Sequence, residues 1–450
     1  MPTIAIVESH ADSASSHICD HLRSLAEWTE REDETRPAAA GGGTYYRIDS
    51  FELRSFEDLH LDLESPAAAF DCEPDLLVFA SRHSGNTGPL LTAHFTGNFG
   101  PAEYGGDDHA LAETCPNALA RLLEAFDEYA PDGYDVGMEC THHGPTDVGC
   151  PSLFAELGSD REQWENPEGA EAVARAILAL RGVEPHRPRQ VVGFGGGHYV
   201  PRFERIVRET PWNVGHVASE WALEAMGSVE THHEVLESAF ETSQTELAVL
   251  DGEWPKLEST LEELGYRVVS ETWLRTVGDR PREIVSAVET ELGPVSEGVR
   301  FGERLEESFA VRSLPTDLLG VTEGIDPDRV RTIVERETVA FETSNGGSRI
   351  GERAAVPTPA DESLRAIVES LAALLEEKYD EVRLESDAVI AEELAFDPAL
   401  ARAAGVPEGP QFGALSKGES VTVAGETIDP EAVHTTQTRR FPLPPEGDDE

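Results

Sequence analysis

Short apolar runs without polar alternation recur along this chain of 450 residues: Ile4–Val7, Leu76–Ala80, Val136–Met138, Val191–Phe194 and Leu247–Leu250. A strand solvated on one face alternates apolar and polar side chains. An unbroken apolar run suits a strand buried on both faces, as in a parallel sheet covered by helices. Helical periods lie between the runs. Residues 110–129 put Leu111, Leu119, Leu122, Leu123 and Phe126 on one stripe, and residues 168–180 do the same with Val173, Ala174, Ile177 and Leu178. Asn166-Pro167 is a start signal for the second helix and Arg181-Gly182 its stop. Strand and helix alternate, so the expected class is α/β, with a mainly parallel or mixed sheet flanked by helices.

Two stretches interrupt the rhythm. Residues 27–43 pass from a charge run, Glu30-Arg31-Glu32-Asp33-Glu34, into Ala38-Ala39-Ala40-Gly41-Gly42-Gly43, the composition of a mobile insert. Residues 442–450 read as a disordered acidic tail. The expected organisation is a catalytic α/β domain over 1–305 and a smaller α+β extension over 306–441. The extension carries helical patterns at 327–340 and 361–378 and a β-like piece at 420–428.

Charge narrows the function classes. Asp and Glu number 87 against 35 Lys and Arg, a formal net charge of −52, and lysine occurs only at Lys256, Lys378 and Lys417. In dilute buffer this field repels phosphate, which excludes a nucleic-acid binder that works by long-range attraction. At about 1 M salt the screening length falls to roughly 3 Å. The composition therefore fits a protein of a high-salt cytoplasm, where contact with nucleic acid is again open. No stretch approaches a membrane span, and Met1–Val7 leads straight into a strand without a basic leader, so a soluble cytoplasmic protein, monomeric and without membrane contact, is expected. Cys19, Cys72, Cys115, Cys140 and Cys150 show no CxxC spacing and read as reduced structural thiols.

The apolar runs end in turns rich in glycine and histidine: Ser81-Arg82-His83-Ser84-Gly85, Glu139-Cys140-Thr141-His142-His143-Gly144 and Gly195-Gly196-Gly197-His198. Ligands of open α/β sheets bind at the carboxyl ends of the strands, so these turns are expected to meet at one cleft. His94 lies in a predicted loop over 88–106, whose glycines suit amides facing a phosphate or a chain end. Imidazoles with Glu139 and Asp147 make a donor set for zinc, which lowers the pKa of water and polarises carbonyls. No HExxH or HxHxDH is present, and Gly193-Phe194-Gly195-Gly196-Gly197-His198 fails as a dinucleotide fingerprint because His198 takes the third glycine's place. Cys140, Ser81 and Ser84 are nucleophile alternatives, but no GxSxG elbow supports them. His10, His216 and the pair His232-His233 read as structural or solvated.

The blocks Ala80-Ser81-Arg82-His83-Ser84-Gly85, Thr92-Ala93-His94-Phe95-Thr96-Gly97-Asn98, Thr141-His142-His143-Gly144-Pro145-Thr146 and Gly193–His198 resemble, in this order, the signature blocks of the archaeal and plant type D-aminoacyl-tRNA deacylases. The resemblance spans roughly residues 1–300. It implies hydrolysis of the ester between a D-amino acid and the 3′-terminal adenosine of tRNA, zinc dependence, and a fold akin to phosphorylases and peptidyl-tRNA hydrolases. It agrees with the roles that position at the strand ends suggests: His83, His142, His143 and His198 as metal ligands and, with Glu139, as the catalytic set. Arg82, Ser84, Asn86, His94, Thr141, Gly195 and Gly196 are the expected substrate contacts, and D-aminoacyl-tRNA is the expected partner. Residues 405–421 resemble a segment of tRNA 3′-end-processing nucleases, whose metal motif is absent. The alternatives are a zinc carboxypeptidase-like or nucleoside phosphorylase-like enzyme on small substrates, and a non-catalytic tRNA-binding protein.

Overall fold

Every position of the strands Ile4–Ser9, Ser152–Gly158, Gln190–Gly195 and Asn213–Ala218 is buried, which is why their sequences show no alternation. The computed structural model describes residues 1–444. They divide into two compact units, the first ending at Gly278 and the second beginning at Asp279. The expected boundary at 305 falls inside the second unit, because Arg300–Phe301 pairs there with Ala340–Ser344.

The first unit holds an eight-stranded sheet of β1 (Ile4–Ser9), β2 (Thr29–Asp33), β3 (Gly43–Ile48), β4 (Phe51–Phe56), β5 (Leu76–Arg82), β6 (Leu90–His94), β7 (Asp135–Met138) and β8 (Ser152–Gly158). Their order is β2-β3-β4-β1-β5-β8-β6-β7. Strands β4, β1, β5 and β8 run parallel, while β6 is antiparallel to β8 and carries β7 parallel to itself. The sheet is therefore mixed. A second sheet in this unit, β9 (Gln190–Gly195), β10 (Asn213–Ala218), β11 (Leu247–Asp251) and β12 (Arg267–Val268), is parallel throughout in the order β10-β9-β11-β12.

Helix Ser13–Leu25 starts where Asp12 Oδ1 accepts the amides of Ala14 and Ser15, a cap worth about 1 kcal/mol. Asn166 caps Pro167–Leu178 in the same way. The helix expected from residue 110 begins instead at Pro116. Proline suits the first helical position and biases the preceding residue toward extended backbone, and Ala112 N–H donates to Thr96 O as part of an irregular strand-like stretch.

Residues 27–43 are not the expected insert. Their first half is β2, the edge partner of β3, and Arg54, fully buried, binds Asp33 and the carbonyl of Gly41. The second unit is α+β. It has an antiparallel sheet of strands Arg300–Phe301, Phe309–Ser313, Ala340–Ser344 and Arg349–Pro357, with helices Thr316–Glu323, Pro327–Glu337 and Ala360–Leu375 closing over Phe341, Val356, Ile367 and Leu371. Pro442, expected to open the tail, ends strand His434–Pro442, and residues 445–450 lie outside the described residues. Among the described residues no helix is long and apolar enough to cross a membrane.

Candidate functional site

The turn after β7 is held from all sides by main-chain hydrogen bonds. Glu139 N–H donates to Ala93 O at 3.1 Å, Cys140 N–H to His198 O at 2.9 Å, Thr141 N–H to Val217 O at 2.9 Å and Gly144 N–H to Tyr104 O at 2.9 Å; His143 O accepts from Gly97 N–H at 2.8 Å. His198 and Val217 belong to the second sheet and its loops, so this one turn joins the two sheets. His143 is held at φ +46°, a left-handed conformation that costs on the order of 1 kcal/mol in a residue with a side chain. Gly144 has no substitute, since a Cβ there would lie 2.4 Å from the backbone of Gly105 and Gly106.

The histidines meet, but not along a common carboxyl rim. Because β6 is antiparallel to β8, the ends of β6 and β7 point opposite to the end of β5. His94, expected in a loop, is the last residue of β6, pairs with Phe154 in mid-β8 and is fully buried. His83 follows β5 at the other end of β8. Short strands bring both to the middle of β8, where Glu156 lies between them: His83 Nδ1 is 3.5 Å from Glu156 Oε2 and His94 Nε2 is 3.6 Å from Oε1.

Glu139 is the centre of the arrangement. His83 Nδ1 stands 3.0 Å from its Oε1; His198 Nε2 stands 2.8 Å and His142 Nε2 3.6 Å from its Oε2. Both Glu139 oxygens are buried, and neither receives a directed hydrogen bond. Burial works to raise this carboxyl, but pairing with His198 and His83 outweighs it and holds the group well below the usual carboxylate range. Burial likewise pulls on His83, and pairing with Glu139 and Glu156 overrides it, pushing the imidazole up to about 10. His198 is also pushed up to about 10, its burial overcome by Cys140 and Glu139.

His142 and His143 go the other way. Burial, followed by repulsion from His94, lowers both, His143 to about 4, so they stay neutral at physiological pH. His94, His142 and His143 each direct Nδ1 at a main-chain carbonyl, those of Phe95, Cys140 and Gly144, at 3.0, 2.8 and 2.7 Å. In the neutral His142 and His143 such bonds fix the tautomer and leave Nε2 as the free lone pair. In His142 that lone pair faces a Glu139 oxygen at 3.6 Å, an opposition of acceptors that a cation relieves; burial pulls His94 down, but its pairing with Glu156 at 3.6 Å outweighs this and raises the imidazole. The donor atoms gather in three groups, the first two sharing His142: His94, His142 and His143; Cys140, His142 and His198; and His83, Glu139 and Glu156, each within 4.8 Å. Nitrogen, sulfur and carboxylate donors in such groups suit zinc.

The cluster forms one wall of a cleft of about 350 Å³. His83, Glu139, His142, His143 and His198 all line it, as do Arg82 and Ser84. His94 sits directly behind, its ring 4.2 Å from His142. Other expected contacts lie elsewhere. Thr141 is buried and bonded to His216 Nδ1 and the amide of Val217; Gly195 and Gly196 pack on Asp251 at the end of β11; Asn86 is exposed and Asp147 bonds to Ser65. Of the glycines over 88–106, Gly97, Gly100, Gly105 and Gly106 serve close packing, as Gly97 does against Leu111 and Gly105 against Leu61, whereas Gly88 stands in open space at φ +82°.

Sequence reasoning missed Glu156, Tyr199 and His60. Glu156 had a readable signal, an acid inside the apolar run Ser152–Gly158. Tyr199, whose hydroxyl lies 3.0 Å from His83 Nε2, and His60, buried in the cleft wall with its ring edge-on to Phe154, had none.

Comparison with known proteins places this arrangement in context. The family profile described as D-aminoacyl-tRNA deacylase matches residues 70–269, which contain every residue of the cluster. The chain is 54% identical to the D-aminoacyl-tRNA deacylase of Natronomonas pharaonis over 97% of its own length and 99% of the relative's. It is 48% identical to the protein of that name from Haloarcula marismortui, over 98% and 100% of the two chains. A crystal structure described as a conserved protein of unknown function matches with a TM-score of 0.54 at 27% identity, covering 61% of this chain and 97% of that one.

Proposed function

Because the chain belongs to the D-aminoacyl-tRNA deacylase family, whose members are named for ester hydrolysis, we propose that it frees tRNA of D-amino acids in a cytoplasm of high salt, at the cleft around Glu139. The observation that carries this reading is one buried carboxylate facing imidazoles from three separate loops. Hydrolysis of an aminoacyl ester needs a proton acceptor for water, positive charge where the carbonyl oxygen becomes negative, and a proton for the departing ribose oxygen.

The two classes of imidazole divide these tasks. Glu139, held ionised, accepts a proton from water. His83 and His198, both charged at neutral pH, stabilise the developing oxyanion, and His198 Nε2 supplies the proton to the ribose oxygen. Environments that push like groups apart in pKa are how one site carries acid and base together. His142 and His143, neutral and with Nε2 freed by their main-chain bonds, are the residues that would hold zinc, joined by His94 once it gives up its proton to the incoming cation's field. When bound, zinc supplies Lewis acidity and lowers the pKa of water. Arg82 and Ser84, which line the cleft, would hold the terminal phosphate, which a guanidinium can bind with two parallel hydrogen bonds.

The test is hydrolysis of D-tyrosyl-tRNA and L-tyrosyl-tRNA in molar KCl, with and without chelator. Loss of the D-ester alone, stopped by chelation and restored by zinc, is the expected result. Equal rates on both enantiomers overturn the assignment.

A further inference from the structure

Tyr104 stands at the mouth of the cleft with 67% of its surface exposed, in a chain that leaves few large apolar side chains uncovered. Its backbone is not free. Its carbonyl accepts the amide of Gly144, and the adjoining Gly105–Gly106 backbone packs so tightly on Gly144 that no side chain fits between them. The loop that carries the exposed ring is therefore anchored to the turn that presents His142 and His143. Tyr199, the other tyrosine beside the cluster, is already engaged: its hydroxyl meets His83 and its ring packs edge-on against His198 at 4.9 Å. Among the described residues no ring or cation packs against the ring of Tyr104.

Size and charge say what belongs there. A volume of about 350 Å³ is near the lower end for ligand pockets, roughly 300–1,000 Å³, so the cleft takes an aminoacyl ester and leaves the attached nucleoside at the opening. A net charge of −52 disfavours holding nucleic acid by phosphate contacts alone, and molar salt weakens such contacts further. Stacking of a neutral base on an aromatic ring carries no such dependence on charge.

We propose that Tyr104 is the platform on which the terminal adenine of the substrate tRNA stacks, fixing the ester relative to Glu139 and the imidazoles. This rests on the deacylase reading and adds to it a residue that recognises the nucleobase. The ring needs little ordering on binding because its backbone is already anchored, which favours affinity.

The decisive probe is a short ribonucleotide, C-C-2-aminopurine, whose fluorescence is quenched by stacking, titrated in molar KCl. The full-length protein and Tyr104→Phe are expected to quench it and Tyr104→Ala is not. With D-tyrosyl-tRNA, Tyr104→Ala is expected to raise KM by about tenfold, the range of one base–aromatic stack, with the larger change in KM rather than kcat. Quenching by Tyr104→Ala equal to that of the unaltered protein overturns the proposal. Binding of the probe needs no turnover, so it decides the stacking even if the unaltered protein proves not to hydrolyse D-aminoacyl-tRNA, a result that would overturn only the assignment of function.

Discussion

His198 Nε2 lies 2.8 Å from Glu139 Oε2 although the two residues come from different sheets, one after β9 and the other after β7. The amide of Cys140 donates to the carbonyl of His198 and locks the pairing at main-chain level. Removing the carboxylate's charge should therefore strike the chemistry before the fold. Glu139→Gln is expected to slow single-turnover hydrolysis of D-tyrosyl-tRNA by about 10²- to 10⁴-fold, the range of a general acid–base group. Circular dichroism of the variant should match that of the unaltered protein.

Metal removal tests the ligand assignment. His142 belongs to two of the three donor groups, so His142→Ala is expected to lose most of the bound zinc, measured by elemental analysis after gel filtration. Its rate should fall by about 100-fold or more. Unchanged zinc content in this variant would place the ion elsewhere.

Acid stability should report on His216. This imidazole is fully buried, bonded to Ala112 O through Nε2 and to Thr141 through Nδ1, and burial lowers it to about 4. Its folded pKa lies below the ordinary value near 6.5, so between the two the unfolded chain binds more protons. The stability is whole above about pH 6.5 and declines as the pH falls toward 4, by up to about 3 kcal/mol from this group alone. Melting temperature measured across that window should fall less steeply in His216→Gln, even though its starting value is lower.

Packing at Gly144 gives a structural counterpart. A methyl group there meets the Gly105–Gly106 backbone, so Gly144→Ala is expected to lose about 1–3 kcal/mol in denaturant unfolding. The displaced loop carries Tyr104, and KM for D-aminoacyl-tRNA should rise with it.

His232→Ala is the control. His232 is half-buried, stacked on His109 at 4.7 Å and absent from the cleft wall. Stability within about 0.5 kcal/mol of the unaltered protein and full activity are expected.

The α/β class, the positions of β1, β5, β7, β9 and β11, and the histidine turns could be read from the sequence because burial leaves a local record, an apolar run ending in polar residues. The family could be read for the same reason: its blocks are contiguous stretches. Direction and partnership leave no such record. Nothing in Leu90–His94 says that β6 runs against β8, yet that reversal turns His94 from a loop residue into a buried neighbour of Glu156. Nor does any local pattern show that Thr141 bonds to His216, or that Gly195 and Gly196 pack on Asp251. The sequence by itself determined which residue types were available and roughly where each strand ends. Only the tertiary structure decided which imidazoles are charged and which neutral, because that depends on burial and on carboxylates contributed by other strands, distances that no spacing along the chain encodes.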